Sequence, residues 1–156
     1  MKQNINLDRV DRKILALIQR DATLSHAEIG ERVGASSASC WRRIKAMEAA
    51  GYLVACVRLV DPSMVGRGVT VICNVRAKDF SPAASQAFEE FVRDNPEVVE
   101  CYSMSGDWDF LLKIVASDVA DYNSFLMDKL LRHPTVAGAS SHFALETLKY
   151  TTELPV

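Results

Sequence analysis

Arg42, Arg43 and Lys45 fall within one stretch, Ser36-Ser37-Ala38-Ser39-Cys40-Trp41-Arg42-Arg43-Ile44-Lys45-Ala46-Met47-Glu48-Ala49-Ala50-Gly51. Cations and hydroxyls at helical spacing suit a surface of phosphates and base edges. The serine cluster can cap a helix start, and Gly51 suits its end. Within that helix Cys40, Ile44 and Met47 share one face, while Ser39, Arg42, Lys45 and Ala46 point the other way and Arg43 lies on the flank. Ser36, Ser37, Ser39, Arg42, Arg43 and Lys45 are therefore the candidate nucleic-acid contacts. A basic face on an amphipathic helix also occurs as plain solvated surface, so the preceding elements must decide.

Other chemistries find little support. Cys40, Cys56, Cys73 and Cys101 form no CxxC pair, and with only His26, His133 and His142 no zinc spacing arises. The cysteines read as reduced, mostly buried thiols. There is no nucleophile–base pair and no phosphate loop. The expectation is a protein that is not an enzyme, with no catalytic residues, no metal and no cofactor. No apolar run reaches membrane-span length and no signal-peptide core opens the chain, which predicts a cytoplasmic protein with no membrane partner.

Charge is unevenly spread. Residues 1–60 carry 10 Lys/Arg against 6 Asp/Glu, and residues 61–156 carry 8 against 14, within an overall net charge of -2. A basic front and an acidic back suggest two domains, with DNA on the first.

Three helices must position the cationic face. Leu7, Val10, Ile14, Leu17 and Ile18 repeat at helical spacing from Leu7 to Arg20, with Asp8 or Asn6 as cap. Ser25 with Glu28 three residues on is a capping box opening a second helix, whose buried side is Ile29 and Val33. Gly30 leaves room for a close neighbour, at about 1 kcal/mol of helix propensity. Gly34 breaks this helix and the Ser36 helix follows. The pattern is helix-turn-helix, with the third helix as reader of the major groove.

The remainder reads as one β-rich unit. Tyr52 to Val60 has strand composition and is ended by Asp61-Pro62. Val69 to Val75 is a buried strand, and Ser81 to Arg93 a helix with Pro82 at its first position and Phe88, Phe91 and Val92 inward. Val98 to Ser105 and Asp109 to Val115 form a hairpin around Gly106-Asp107. A helix from Asp118 to Arg132 and a strand from Val136 to Leu148 complete a β-α-β-β-α-β order, the ferredoxin-like arrangement. The fold class expected is α+β. Two helices cover one sheet face, so the other face needs a partner and the protein is expected to be at least a dimer.

At this point the chain resembles transcription regulators of the leucine-responsive regulatory protein/AsnC ("feast/famine") family, over nearly its whole length. The marks are Leu7-Asp8-x-x-Asp11, the Ser36–Gly51 helix, Leu59-Val60-Asp61-Pro62, Gly106-Asp107-Trp108-Asp109 and Lys149-Tyr150-Thr151-Thr152-x-Leu154-Pro155. The resemblance implies a winged-type helix-turn-helix domain over residues 1–51 and a strand hinge over 52–66. Residues 67–156 would then form a ferredoxin-like effector-binding and oligomerisation domain. It implies a sequence-specific, double-stranded-DNA-binding transcription regulator, cytoplasmic and nucleoid-associated. Its homodimers would assemble into tetramers or octamers, and a bound amino acid or related metabolite would modulate assembly or DNA affinity.

Carried across by position, the resemblance places the effector against Ser103, Met104, Ser105, Gly106, Asp107, Trp108 and Asp109. Ala139, Ser141 and His142 of a neighbouring dimer would form the second wall. Asp109 could meet an α-ammonium, while Ser141 and turn N–H groups could meet an α-carboxylate. Ala139 stands where threonine is frequent in the family and Trp108 where tyrosine or phenylalanine is usual, which leaves the effector open. Two rival classes stay open: an architectural DNA-binding protein without an effector, and a ferredoxin-like enzyme or metabolic regulatory subunit.

Overall fold

The computed structural model describes residues 6–156. They form two compact units: one runs to Arg58 and is rejoined by Lys149–Val156, and the other spans Leu59–Leu148.

The first unit holds α1 (Arg9–Arg20), α2 (His26–Val33) and α3 (Ser37–Ala50). Each has the cap its sequence promises. The Asp8 carboxylate accepts the N–H groups of Val10 and Asp11, and Asp11 returns the bond to the Asp8 N–H. Ser25 and Glu28 exchange the same reciprocal bonds at α2, and Ser36 caps α3 by accepting the Ser39 N–H. Ile14, Leu15, Ile29, Val33, Cys40 and Met47 form the core. The α2–α3 turn is tight because Gly30 has no side chain. Its carbonyl accepts the N–H groups of both Gly34, at 2.9 Å, and Ala35, at 3.0 Å.

The last eight residues, expected with the second domain, pack in the first unit. Gln19 and Leu154 exchange two hydrogen bonds, and Arg20 meets Glu153 at 2.7 Å.

The second unit holds β1 (Val69–Ala77), α4 (Pro82–Asp94), β2 (Val98–Ser103), β3 (Phe110–Ala116), α5 (Val119–Ser124) and β4 (Val136–Phe143). The sheet order is β2-β3-β1-β4 and every neighbouring pair is antiparallel. That is the expected ferredoxin-like arrangement. Strand alternation divides the side chains. Val71, Cys73 and Val75 of β1 and Leu112 and Ile114 of β3 are buried with Phe88, Tyr122, Phe125 and Leu130 from the helical layer. The intervening residues occupy the opposite face and are only partly buried.

Three elements differ from the sequence reading. Tyr52 to Val60 forms no strand. Val54 is 89% exposed, and the β-branched composition finds no ladder partner among the described residues. The last strand stops at Phe143 rather than Leu148, where pairing with β1 ends. The helix expected from Asp118 to Arg132 changes pitch after Ser124, and Phe125–Leu130 is π-helical. An i→i+5 bond from the Leu131 N–H to the Leu126 carbonyl closes that wider turn. The wider turn brings Phe125 and Leu130, five residues apart, to the same core.

Candidate DNA-reading helix and effector hairpin

Helix α3 is held from inside. Cys40, Met47 and Ala50 are buried. Its outward side carries Arg42, Lys45 and Ala46, all exposed, with Ser37 exposed on the first turn and Ser39 half-buried on the flank. Ser36 is committed to the cap, its Oγ 3.2 Å from the Ser39 nitrogen. Lys45 reaches Glu48 at 2.6 Å, a surface pair of little strength that leaves the ammonium free to exchange partners.

Arg43 points elsewhere. Its Nη1 donates to Asp8 at 2.8 Å and to Asp11 at 2.7 Å, tying α3 to the start of α1. The pairing holds the guanidinium above its ordinary range, with the Asp11 bond as the largest cause and the Asp8 bond next. Asp8 is held below the usual carboxylate range, first by the Asp11 backbone N–H and then by Arg43. Sequence reasoning missed this role because the partners lie more than thirty positions away. It also passed over Trp41, which is 52% exposed beside Arg42. Helical phase was the available signal, since position 41 lies away from the buried Cys40 line.

In the second unit, residues 104–109 connect β2 to β3. Ser103 pairs with Phe110 at the end of the ladder. The Met104 N–H donates to the Asp109 carbonyl at 2.8 Å, closing the hairpin. Ser105, Gly106 and Asp107 are exposed. Gly106 has φ 119°, a conformation that favours glycine. Asp109 anchors the hairpin to β1: its N–H donates to the Val75 carbonyl at 3.1 Å, and its Oδ2 accepts the Ala77 N–H at 2.8 Å. The second bond lies just past Val75 and Phe110, where the β1–β3 ladder ends. Asp109 thus supplies the acceptor an irregular strand end requires.

Arg76, absent from the sequence-derived site, belongs to this hairpin. Its Nη2 donates to the Asp107 carbonyl at 2.9 Å, and its guanidinium lies 4.9 Å from the Trp108 ring centroid. The sequence signal was strand phase: Val71, Cys73 and Val75 turn inward, so Arg76 turns out.

The expected second wall is divided within one chain. Ala139 lies opposite Val75 and packs on the buried core. Ser141 also faces the helical layer, where its hydroxyl bonds Tyr122 Oη and lies 3.9 Å from Cys73 Sγ. Burial pushes the Tyr122 phenol and the Cys73 thiol up. His142 is on the other sheet face, with Nε2 3.3 Å from Ser140 Oγ. Among the described residues no cluster of His, Cys, Asp and Glu fit for a metal ion occurs, and no helix is long and apolar enough to cross a membrane.

Comparison with known proteins adds an independent line. The family model for a winged helix-turn-helix DNA-binding domain matches residues 7–54, and that for the Lrp/AsnC ligand-binding domain matches residues 70–154. The chain is 39% identical to the glutamate uptake regulatory protein of Zymomonas mobilis over 150 residues, 96% of this chain and 91% of that protein. An AsnC-family transcriptional regulator from Agrobacterium tumefaciens superposes with a TM-score of 0.90 at 44% identity, covering 96% of this chain and 97% of that one. A transcriptional regulator from Neisseria meningitidis, solved as a complex with L-Met, superposes with a TM-score of 0.93 at 35% identity and the same coverage. With a helix-turn-helix whose third helix turns cations outward, and an antiparallel domain matched to amino-acid binding, this chain belongs to the Lrp/AsnC family of transcription regulators.

Proposed function

We propose that α3 reads the major groove through Ser37, Ser39, Arg42 and Lys45, with Ser36 at the helix start close to phosphate. The observation that supports this most is the split of α3. Its inward side is sealed by Cys40 and Met47, and its outward side presents Arg42 and Lys45 with no burying partner. Arg43 we assign to holding the helix, since its guanidinium is paired to Asp8 and Asp11. Residues 1–51 act as the reading domain, 52–66 as the hinge, and residues from 67 onward as the effector and assembly domain of a cytoplasmic, nucleoid-associated regulator, with the last eight residues returning to pack in the first unit.

The effector is an amino acid held at Ser103–Asp109. The L-Met complex of the Neisseria regulator supports that class. Asp107 and the second oxygen of Asp109 are the ammonium acceptors. His142 contributes from a neighbouring copy, while Ala139 packs on the core and Ser141 is taken by Tyr122. The sheet face carrying Ile72, Leu111 and Val115 closes against a second copy, and such dimers build tetramers or octamers.

Operator binding tests the first part. Arg42→Ala costs about 1–3 kcal/mol on the specific site and relaxes preference at one base position. Lys45→Ala weakens all sequences alike and lowers the salt slope by about one. Unchanged binding by the double variant would remove α3 as reader. Sedimentation and thermal shift across the twenty standard L-amino acids test the second part. DNA binding indifferent to all of them would instead favour an architectural protein.

A further inference from the structure

We infer that Arg76 is the carboxylate receptor of the effector hairpin, so that the ligand class is a free α-amino acid and not its amide, ester or amine. The inference rests on the effector reading above and names the group that reading left unassigned. An α-amino acid carries both charges, and a site that selects it must answer both. The segment from Ser103 to Asp109 contains two carboxylates and no cation. Alone it would attract an ammonium and repel the carboxylate attached to it. Ser141, the hydroxyl expected to receive that carboxylate, faces the helical layer and bonds Tyr122.

Arg76 supplies the missing sign from β1. It is exposed, and its hydrogen bond to the Asp107 carbonyl uses one of five N–H donors. The Trp108 ring beneath it, 4.9 Å from centroid to guanidinium carbon, restrains the plane of the fork. A guanidinium so held presents parallel N–H groups to a carboxylate with little rotamer freedom left to lose. Asp107 brings its own exposed carboxylate on the residue whose carbonyl Arg76 grips, so the two charges a zwitterion needs are fixed to one turn. Tryptophan at position 108 thereby acquires a function, since it offers the strongest aromatic face for stacking a cation.

Full-length protein is screened by thermal shift and calorimetry against the twenty standard L-amino acids. The amino acid giving the largest shift is then compared with its carboxamide. Wild type binds the acid and discriminates against the amide. Arg76→Gln, with unchanged circular dichroism, binds the acid about 10- to 100-fold more weakly while the amide's affinity stays as it was. Arg76→Lys retains part of the discrimination. Lys78→Gln, which removes a nearby charge of the same sign, changes neither affinity. Four outcomes overturn the proposal: wild-type affinity for the acid in Arg76→Gln, equal loss of acid and amide in that variant, an equal loss in Lys78→Gln, or a wild type that does not discriminate. A wild type shifted by none of the twenty removes the effector reading itself, and the role of Arg76 with it.

Discussion

Replacing Gly30 by alanine sets local propensity and tertiary geometry against each other. In the middle of an exposed helix the change adds about 1 kcal/mol of stability, because alanine is the better helix former. Here a Cβ built on Gly30 falls 2.4 Å from the Ala35 carbonyl oxygen, with two further backbone carbons at 3.5 Å. The obstacle is backbone, so no rotamer change relieves it, and the α2–α3 turn must open. The carbonyl of Gly30 also accepts the Gly34 and Ala35 N–H groups, and an opened turn lengthens both bonds. Overpacking costs about 1–3 kcal/mol and a weakened backbone hydrogen bond about 0.5–1.5 kcal/mol, together outweighing the propensity gain. The expected result is net destabilisation of the first unit by about 1–3 kcal/mol, with weaker DNA binding because α3 is displaced. Urea unfolding followed by Trp41 fluorescence, in a Trp108→Phe background, reads that unit alone. Glu31→Ala, at an exposed site in the same helix, is the control for propensity and stays within about 0.5 kcal/mol. A Gly30→Ala protein as stable as its parent, or more so, would refute the close-approach account of the turn.

Arg43→Met should destabilise the same unit by about 1–3 kcal/mol, less than the full penalty for breaking a buried pair because the Arg43 side chain is 30% exposed. Arg42→Ala, measured in the same urea titration, should leave stability within about 0.5 kcal/mol. Asp8 and Glu28 are both held below their ordinary values, Asp8 by the Asp11 N–H and Arg43, and Glu28 by Ser25. Depressed carboxylates stabilise fully above their unfolded values, 3.8 and 4.5, and that contribution is lost as pH falls through the lower folded values. Acid melts should therefore weaken the first unit below about pH 4, and Asp8→Asn should flatten that limb. Maleimide labelling of native protein should reach exposed Cys56 well before buried Cys40 and Cys73, and equal rates would contradict the burial described.

The legible parts of this chain are those whose cause is local. Asp8, Ser25, Ser36 and Ser81 each cap the helix that follows, and a cap acts within three residues. Strand alternation gave β1 and β3 their buried faces for the same reason. The illegible parts depend on pairing at a distance. Tyr52 to Val60 has strand composition, yet a strand exists only where another backbone completes its ladder. Arg43 stands in a basic run and reads as a contact until the fold brings Asp8 and Asp11 beneath it. The π turn at Phe125–Leu130 exchanges one hydrogen-bond register for another, and a period-seeking reading has no means of locating such a slip.

The hairpin shows how far one residue can serve both fold and site. The sequence offers Asp109 as an ammonium acceptor, and in the structure its Oδ2 also closes the end of β1 through the Ala77 N–H. That bond leaves the second oxygen unspent, and it fixes where the oxygen points. Holding β1 in place also holds Arg76, the residue just before Ala77, against the Asp107 carbonyl and the Trp108 ring. A substitution at Asp109 therefore separates into two effects. Asp109→Asn keeps an amide oxygen able to accept the Ala77 N–H, so the hairpin keeps its shape and only the charge is lost. Asp109→Ala removes the acceptor, leaves a part-buried N–H without its partner, and frees Arg76 to move. If the carboxylate matters to the ligand only by charge, the two variants lose effector response equally. If its larger role is to set the hairpin, the alanine variant alone also loses thermal stability and the preference for acid over amide. The geometry favours the second result, because the Ala77 bond is internal to the fold and answers a donor that lies beyond the end of the β1–β3 ladder at Val75 and Phe110.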